Sequence, residues 1–337
     1  MPTEIEHAVA AIQMEARLAD PPHNIAQAGD LAERALRNGA KIVALPEFFT
    51  TQIVFDERLW ACALPPENPA VEMMMSLARQ YGAMIGGSYL ELRDGDVFNT
   101  YALVEPNGRV HKHDKDQPTM VENAFYVGGG DPGRAETEFG AVGMAVCWET
   151  IRRRTVNRLA GSVDLLMTGS HWWTEPGWRF PRGLWRNLHT YNTALMARTP
   201  AIFAREVGAP SLHAAHCGPI EGLTLLTSRW GLRSRSRLMG ETQIIDRAGK
   251  ILARRGADEG PGVAEARLEI GAAAPVAAAP ADQKAFWLDK LPLVFRLMWT
   301  HQNAVGRRAY ARAKAEGRLQ AYDFTRNAPL DVRGDAP

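Results

Sequence analysis

The chain has 337 residues, 46% hydrophobic and 23% charged, the balance of a globular protein long enough to bury a sizeable core without covalent staples. A formal net charge of +1 gives no footprint for nucleic acid or an anionic membrane surface, so neither is expected as a partner. Three cysteines without paired spacing, Cys62, Cys147 and Cys217, exclude a disulfide framework and fit a reducing compartment, the cytoplasm.

In chain order, "MPTEIEHAVAAIQMEARLAD" has neither a basic start nor a long apolar stretch, so no signal peptide is expected. No run of about 18 apolar residues follows anywhere, so no membrane span is expected either. "HAVAAIQM" (7–14) reads as a buried strand. Ile25, Ala28, Leu31, Ala32, Ala35 and Leu36 then recur at helical spacing, with Gly39 as a stop, and "KIVALPE" (41–47) reads as a second strand. This is a β-α-β unit with parallel strands. Residues 68–82 predict a helix and 83–92 a strand. "VFNTYALVEPNGRVHKHDK" (97–115) predicts two strands around Asn107-Gly108, a hairpin signal.

Residues 137–147 read as strand, bend, strand, and 151–170 as helix, glycine stop, strand. Residues 184–208 repeat helix then strand, with Pro200 as the break. A hairpin around Ala248-Gly249 (240–256) and a last strand at 262–270 complete the pattern. Helix-strand units interleaved with hairpins imply a mixed sheet covered by helices. Residues 272–283 read as a linker. The helical tail beyond is too apolar to stand alone and must pack on the body or on a second subunit. The expected division is therefore a domain over 1–271 and a linker with helical tail over 272–337.

Three segments place a reactive side chain where a predicted strand ends: Glu47 after "KIVALP", Lys115 ending "RVHKHDK", and Cys147 ending "GMAV". Strand ends in α/β sheets are where ligand crevices form. A thiol becomes a nucleophile when a base takes its proton, a carboxylate can be that base, and a lysine can hold the charge of a tetrahedral intermediate. Taken singly, each also has a plain reading: a packed cysteine, a loop glutamate, a solvated lysine.

Together they resemble the signatures of the nitrilase superfamily of carbon–nitrogen hydrolases, in that family's order. "IVALPEFFTT" resembles its Glu motif, "HDKDQPTMVENAFYVGGGD" its Lys motif with a second glutamate at Glu122, and "AVGMAVCWET" its nucleophile motif. The resemblance covers roughly residues 5 to 270. It implies an α/β fold of mixed α+β character, a four-layer α-β-β-α sandwich. It also implies two-fold or larger homo-oligomeric association, and neither metal nor organic cofactor. It implies Glu47 as base, Cys147 as nucleophile, Lys115 (with a main-chain N–H such as that of Trp148) as charge stabiliser, and Glu122 as a carboxylate orienting Lys115.

"KDQPT" and "CWE" look like the nitrilase branch, although "TIRRRTV" after the nucleophile departs from it. The expected reaction is therefore conversion of a small nitrile to acid and ammonia through a covalent cysteine intermediate. Hydrolysis of an amide or N-carbamoyl compound is the alternative. Acyl transfer and a silent assembly subunit are more distant readings.

"GSHWWTEPGW" (169–178) supplies pocket candidates His171, Trp172 and Trp173; the two tryptophans, adjacent on an extended chain, would point opposite ways. "HAAHCG" (213–218) lacks the four ligands and spacing of a zinc site. "HKH" (111–113) reads as a surface strand. "RRR" (152–154) reads as a solvated or inter-subunit face, with an arginine for a substrate carboxylate as a lesser possibility. "GGG" (128–130) is a loop, because no phosphate-cradle pattern follows.

Overall fold

Alternation along the strands decides the layering. In the computed structural model, which describes residues 5–174, 182–223, 233–272 and 292–325, strand β1 (Ile5–Met14) buries Val9 and Ala11 on one face and Ala10 and Ile12 on the other. A strand buried on both faces lies inside a stack of layers. Helix α1 (Pro21–Arg37) carries the chain to β2 (Ile42–Ala44), which pairs parallel to β1. Helix α2 (Pro69–Tyr81) starts where the Asn68 side chain accepts from Ala70 N and Val71 N, and it leads to β3 (Met84–Arg93), parallel to β2. β4 (Asp96–Val104) and β5 (Val110–Asp114) form the hairpin expected at Asn107-Gly108.

The second half begins with the antiparallel pair β6 (Arg134–Thr137) and β7 (Gly140–Val146). Helix α3 (Arg153–Leu159), β8 (Leu165–Ser170), helix α4 (Arg182–Val207) and β9 (Ser211–Leu223) follow, with β7, β8 and β9 parallel. β10 (Arg233–Ile245) lies along β9 and pairs with β11 (Ile251–Gly256), while β12 (Gly262–Ile270) runs antiparallel to β1.

The strand order is β5-β4-β3-β2-β1-β9-β8-β7-β6. β1 and β9 meet only at Gln13–Ala215 and Met14–His216, so two half-sheets join at a corner. Between them lie Val9, Ile42 and Leu103 from one half against Val142, Met167 and Leu212 from the other. The outer face of the first half (Ile12, Val43, Ile85) packs on Ala28, Ala32 and Met74 of α1 and α2. The outer face of the second half (Ala145, Leu166) packs on Val156, Leu159 and Phe203 of α3 and α4. The result is the four-layer α-β-β-α sandwich.

One element differs from expectation. Pro200 does not end a helix: α4 runs through it to Val207, and the next strand starts only at Ser211. Pro200 lacks the N–H that would meet Met196 O, and the carbonyls on either side of that gap accept from side chains, Leu195 O from Thr199 Oγ1 (2.7 Å) and Ala197 O from Gln243 Nε2 (2.9 Å). The second donor comes from β10 and cannot be foreseen locally.

The expected linker falls, apart from Ala272, outside the described residues. The tail beyond it forms α5 (Leu293–Ala315), which packs on its own chain. Tyr310 Oη accepts from Val97 N at 2.9 Å and donates to Asp96 at 3.0 Å, and Asn303 Oδ1 accepts from Met120 N and from Asn123 Nδ2, both at 3.0 Å. Gly306 makes this docking possible: a Cβ there would lie 2.8 Å from the Asn123 Cβ. No described helix is long and apolar enough to cross a membrane.

Candidate active site

The ends of β2, β5 and β7 bring three separate segments to one buried point. Past β2 the chain leaves the ladder and reaches Glu47; past β5 comes Lys115, and the turn 120–124 adds Glu122; past β7 comes Cys147. Lys115 Nζ donates to Glu47 Oε1 at 2.8 Å and to Glu122 Oε2 at 2.7 Å. Sγ of Cys147 and carboxylate oxygens of both glutamates lie within 4.8 Å of one another. All four residues are at most 4% exposed. Three acidic or thiol donors so close could suggest a cation site. The Lys115 ammonium already bridges both carboxylates, so the donor set has its positive charge and does not fit a metal as well.

The backbone around these residues is held in an uncommon conformation. Phe48, Met120 and Cys147 have φ of 52°, 50° and 52°, the left-handed region that non-glycine residues seldom occupy. Each lies within two residues of a cluster member or is one. At Cys147 this makes a sharp elbow between β7 and the turn 147–151. Gly169 of β8 lets the Glu47 segment pass close by, since a Cβ there would lie 2.6 Å from Glu47 N. That approach sets the His171 main-chain N–H on Glu47 Oε2 at 2.8 Å.

Electrostatics follow from burial and the single ammonium. Burial raises the Glu47 carboxyl, and the nearby Lys115 charge draws it partly back, leaving it at about 7. Burial alone would lower Lys115, but the carboxylates of Glu122 and Glu47 outweigh it and hold the lysine well above its usual value. Burial, reinforced by the Glu47 charge, pushes the Cys147 thiol well above its ordinary value. Cys147 therefore rests as a neutral thiol beside a carboxyl that titrates near neutrality.

Several polar groups at the site carried no sequence signal of their own. Asn99 Nδ2 of β4 donates to Glu47 Oε1 at 2.9 Å, and Thr119 N donates to Glu122 Oε2 at 2.8 Å. The Tyr126 hydroxyl donates to the same Glu122 oxygen. His216 Nε2 donates to Glu47 O at 2.7 Å, so this histidine of "HAAHCG" braces the Glu47 segment. His213 sits apart from it between Thr168 Oγ1 and Ser170 Oγ.

The pocket candidates fall as follows. Trp148, His171, Trp172 and Trp173 all border one cavity of about 20 Å³ with Cys147, Glu122, Thr119, Met120, Asn192 and Phe295. The two tryptophans do not divide into one facing the site and one facing away. β8 ends at Ser170, and the two-residue period ends with it. Trp172 Nε1 donates to Asn192 Oδ1 at 2.7 Å, and Asn192 Nδ2 donates to Trp173 O at 3.0 Å. His171 contributes its main chain to Glu47, while burial holds its ring well below the usual imidazole value and Nε2 accepts from Ile53 N at 3.3 Å. Residues 175–178 of that segment lie outside the described residues.

Two readings are corrected. Of "HKH", His113 is buried rather than on the surface, its ring between Asp131 Oδ1 (2.6 Å) and Glu149 Oε2 (3.0 Å). A carboxylate on each side repays what burial costs. Of "RRR", Arg152 is buried and pairs with Asp116, and Arg154 Nε lies 2.6 Å from the same carboxylate. These arginines serve a carboxylate of the protein itself, one residue past Lys115.

Glu149 accepts from Val146 N (2.8 Å) and from Asp116 N (3.1 Å), tying the Cys147 elbow to the Lys115 segment. Burial would raise Glu149, but His113 and then Arg158 outweigh it and hold it well below the usual carboxylate range. His113, which burial alone would lower, is raised to about 9 by Glu149 and Asp131. Its folded pKa thus exceeds the ordinary 6.5, so the stabilisation is fully present below pH 6.5 and lost as pH rises through about 9. His113→Gln is expected to cost about 3 kcal/mol below pH 6.5, and the difference from the parent should shrink toward pH 9. Urea unfolding of both proteins across that range measures it; a pH-independent difference would sink the account.

The chain was compared with known proteins. Residues 8–277 match the family model described as carbon-nitrogen hydrolase. A nitrilase of Pyrococcus abyssi is 30% identical over 158 residues, 45% of this chain and 60% of that protein. An N-carbamoylputrescine amidase of Solanum lycopersicum is 29% identical over 152 residues, 42% of this chain and 50% of that protein. The chain thus spans between half and three-fifths of the length of these two relatives. Among solved structures, an amidase from Nesterenkonia sp. superposes with a TM-score of 0.61 at 21% identity, covering 78% of this chain and 90% of that one.

Proposed function

The chain belongs to the carbon-nitrogen hydrolase family, and on that premise we propose that it hydrolyses a small amide through an acyl-cysteine intermediate. The observation that carries this reading is Lys115 Nζ bridging Glu47 and Glu122 beside the Cys147 thiol.

Glu47 takes the thiol proton as Sγ bonds to the carbonyl carbon. A lysine ammonium has three donors, and the carboxylates of Glu47 and Glu122 take two. The third, with the Trp148 main-chain N–H, meets the developing oxyanion. Glu47 returns the proton to the departing nitrogen, and the C–N bond breaks, leaving a thioester. Glu47 then deprotonates a water, which attacks the thioester carbon; the acid leaves and the thiol is restored. Glu122, with Tyr126 and Thr119 N on one oxygen, holds Lys115 in place.

A nitrile is the second reading, favoured by "Cys-Trp-Glu" at the nucleophile and by the relative named a nitrilase. The same residues would give a thioimidate first, then the thioester after addition of water and loss of ammonia. Ammonia release from a panel of amides, nitriles and N-carbamoyl compounds separates the two. Release from amides alone supports the first reading, and acid from nitriles supports the second. Silence across the panel by folded protein would remove both and favour acyl transfer or a non-catalytic role.

The pH dependence is a further check. Glu47 must be ionised to accept the thiol proton, so kcat/KM is expected to rise with pH through about 7. Lys115 stays protonated to well above its usual value, so no falling limb is expected below pH 9. A profile already flat between pH 5 and 8 would show that Glu47 does not titrate near 7 in the free enzyme.

A further inference from the structure

The region that matches the family ends at residue 277, yet α5, which starts at Leu293, reaches the cavity. Phe295 is 4% exposed and borders the same space as Cys147, Trp172 and Trp173. One turn further on, Trp299 stacks face to face on Trp148, the residue after the nucleophile, at 5.2 Å between ring centres and 3° between planes. The Arg152 guanidinium lies 5.8 Å from the Trp299 ring centre. One turn beyond that, Asn303 holds the 120–124 turn that carries Glu122. Three successive turns of one helix thus touch the cavity, the nucleophile's neighbour and the second glutamate's turn. A cavity of about 20 Å³ holds about one water molecule, so an acyl group enters only where a wall yields.

We propose that α5 is the outer wall of the acyl pocket and that Phe295 is a specificity-determining residue, its ring setting the upper size of the acyl group that Cys147 accepts. The role in hydrolysis rests on the function proposed above; the role as a wall in front of the thiol does not. The acceptable acyl groups are small and apolar, in the class of short aliphatic acids. Shortening Phe295 opens space against Trp172 and Trp173, where a branched or aromatic acyl group would lie.

The test uses the full chain and two thiol-alkylating probes of different girth, iodoacetamide and N-phenyl iodoacetamide, with Cys147 labelling followed by intact mass. Cys147→Ala corrects for Cys62 and Cys217. Phe295→Ala is expected to raise the rate with the bulky probe relative to the small one by about tenfold or more, the scale of one or more methylenes in an apolar pocket. Phe295→Trp should move the ratio the other way. Trp299→Ala loosens the helix without widening the pocket and should speed both probes alike.

The kcat/KM ratio for bulky over short aliphatic amides should follow the probe ratio in each variant. An unchanged probe ratio in Phe295→Ala, or equal acceleration of both probes there, overturns the proposal. If Phe295→Ala does not fold, Phe295→Leu carries the same test with a smaller shift. A shifted probe ratio without hydrolysis of any amide or nitrile would leave the wall standing and remove the hydrolase reading.

Discussion

Cys147→Ala is expected to reduce turnover by about 10⁴-fold or more while the protein stays folded. In the proposed mechanism Sγ is the atom that forms the covalent bond, and no neighbour can replace it. Burial pushes the other two thiols to about 12 (Cys62) and about 11 (Cys217), and neither borders the cavity. Glu47 could still activate a water, but that water would lack the fixed position Sγ has at the φ = 52° elbow. Loss of one buried sulfur costs about 1 kcal/mol, so the unfolding midpoint should move little. Ammonia release and urea unfolding, read on the same preparation, check both parts. Activity within tenfold of the parent would end the covalent mechanism.

Lys115→Met is expected to damage both stability and activity. The ammonium is the shared counter-charge of two carboxylates buried with it. Removing one partner of a buried ion pair typically costs about 3–5 kcal/mol, because the remaining charge is left uncompensated. Here the orphaned Glu47 carboxyl, which the Lys115 charge now draws down, would hold its proton to higher pH. A carboxyl with a folded pKa above its unfolded value gives stability at low pH that is lost as pH rises. The penalty should therefore be smaller at pH 5 than at pH 8, whereas a simple packing defect would cost the same at both. Turnover should fall by about 10³-fold or more, the scale of losing a charge stabiliser in a dry site. Lys115→Met with Glu122→Gln should recover part of the stability and none of the activity. Recovery of activity would move the oxyanion role away from Lys115.

The sequence by itself indicated a mixed sheet covered by helices, and its motifs resembled a family that implies the layering and the candidate chemistry. The unbroken apolar run of β1 states that both its faces are buried, and helical spacing in α1 states which face is, because side-chain direction is fixed by local backbone geometry. Glu47, Lys115 and Cys147 were legible because each lies at or just past a strand end and, above all, because the three segments together resemble one family's motifs in order. What needed the tertiary structure is everything set by a partner far along the chain. α4 continues through Pro200, and beside that break Gln243 reaches Ala197 O from β10. His113 and Arg152 read as surface residues until Glu149, Asp131 and Asp116 arrive beside them. Asn99 and His216 reach Glu47 from strands 52 and 169 positions away. The tail reads only as an apolar helix until Gly306 lets it close on Asn123, which sets Phe295 in the cavity in front of Cys147. A residue's own neighbours in the chain decide which face it presents. Only the folded packing decides what charge or ring meets it there, and that meeting fixes the pKa values and the pocket.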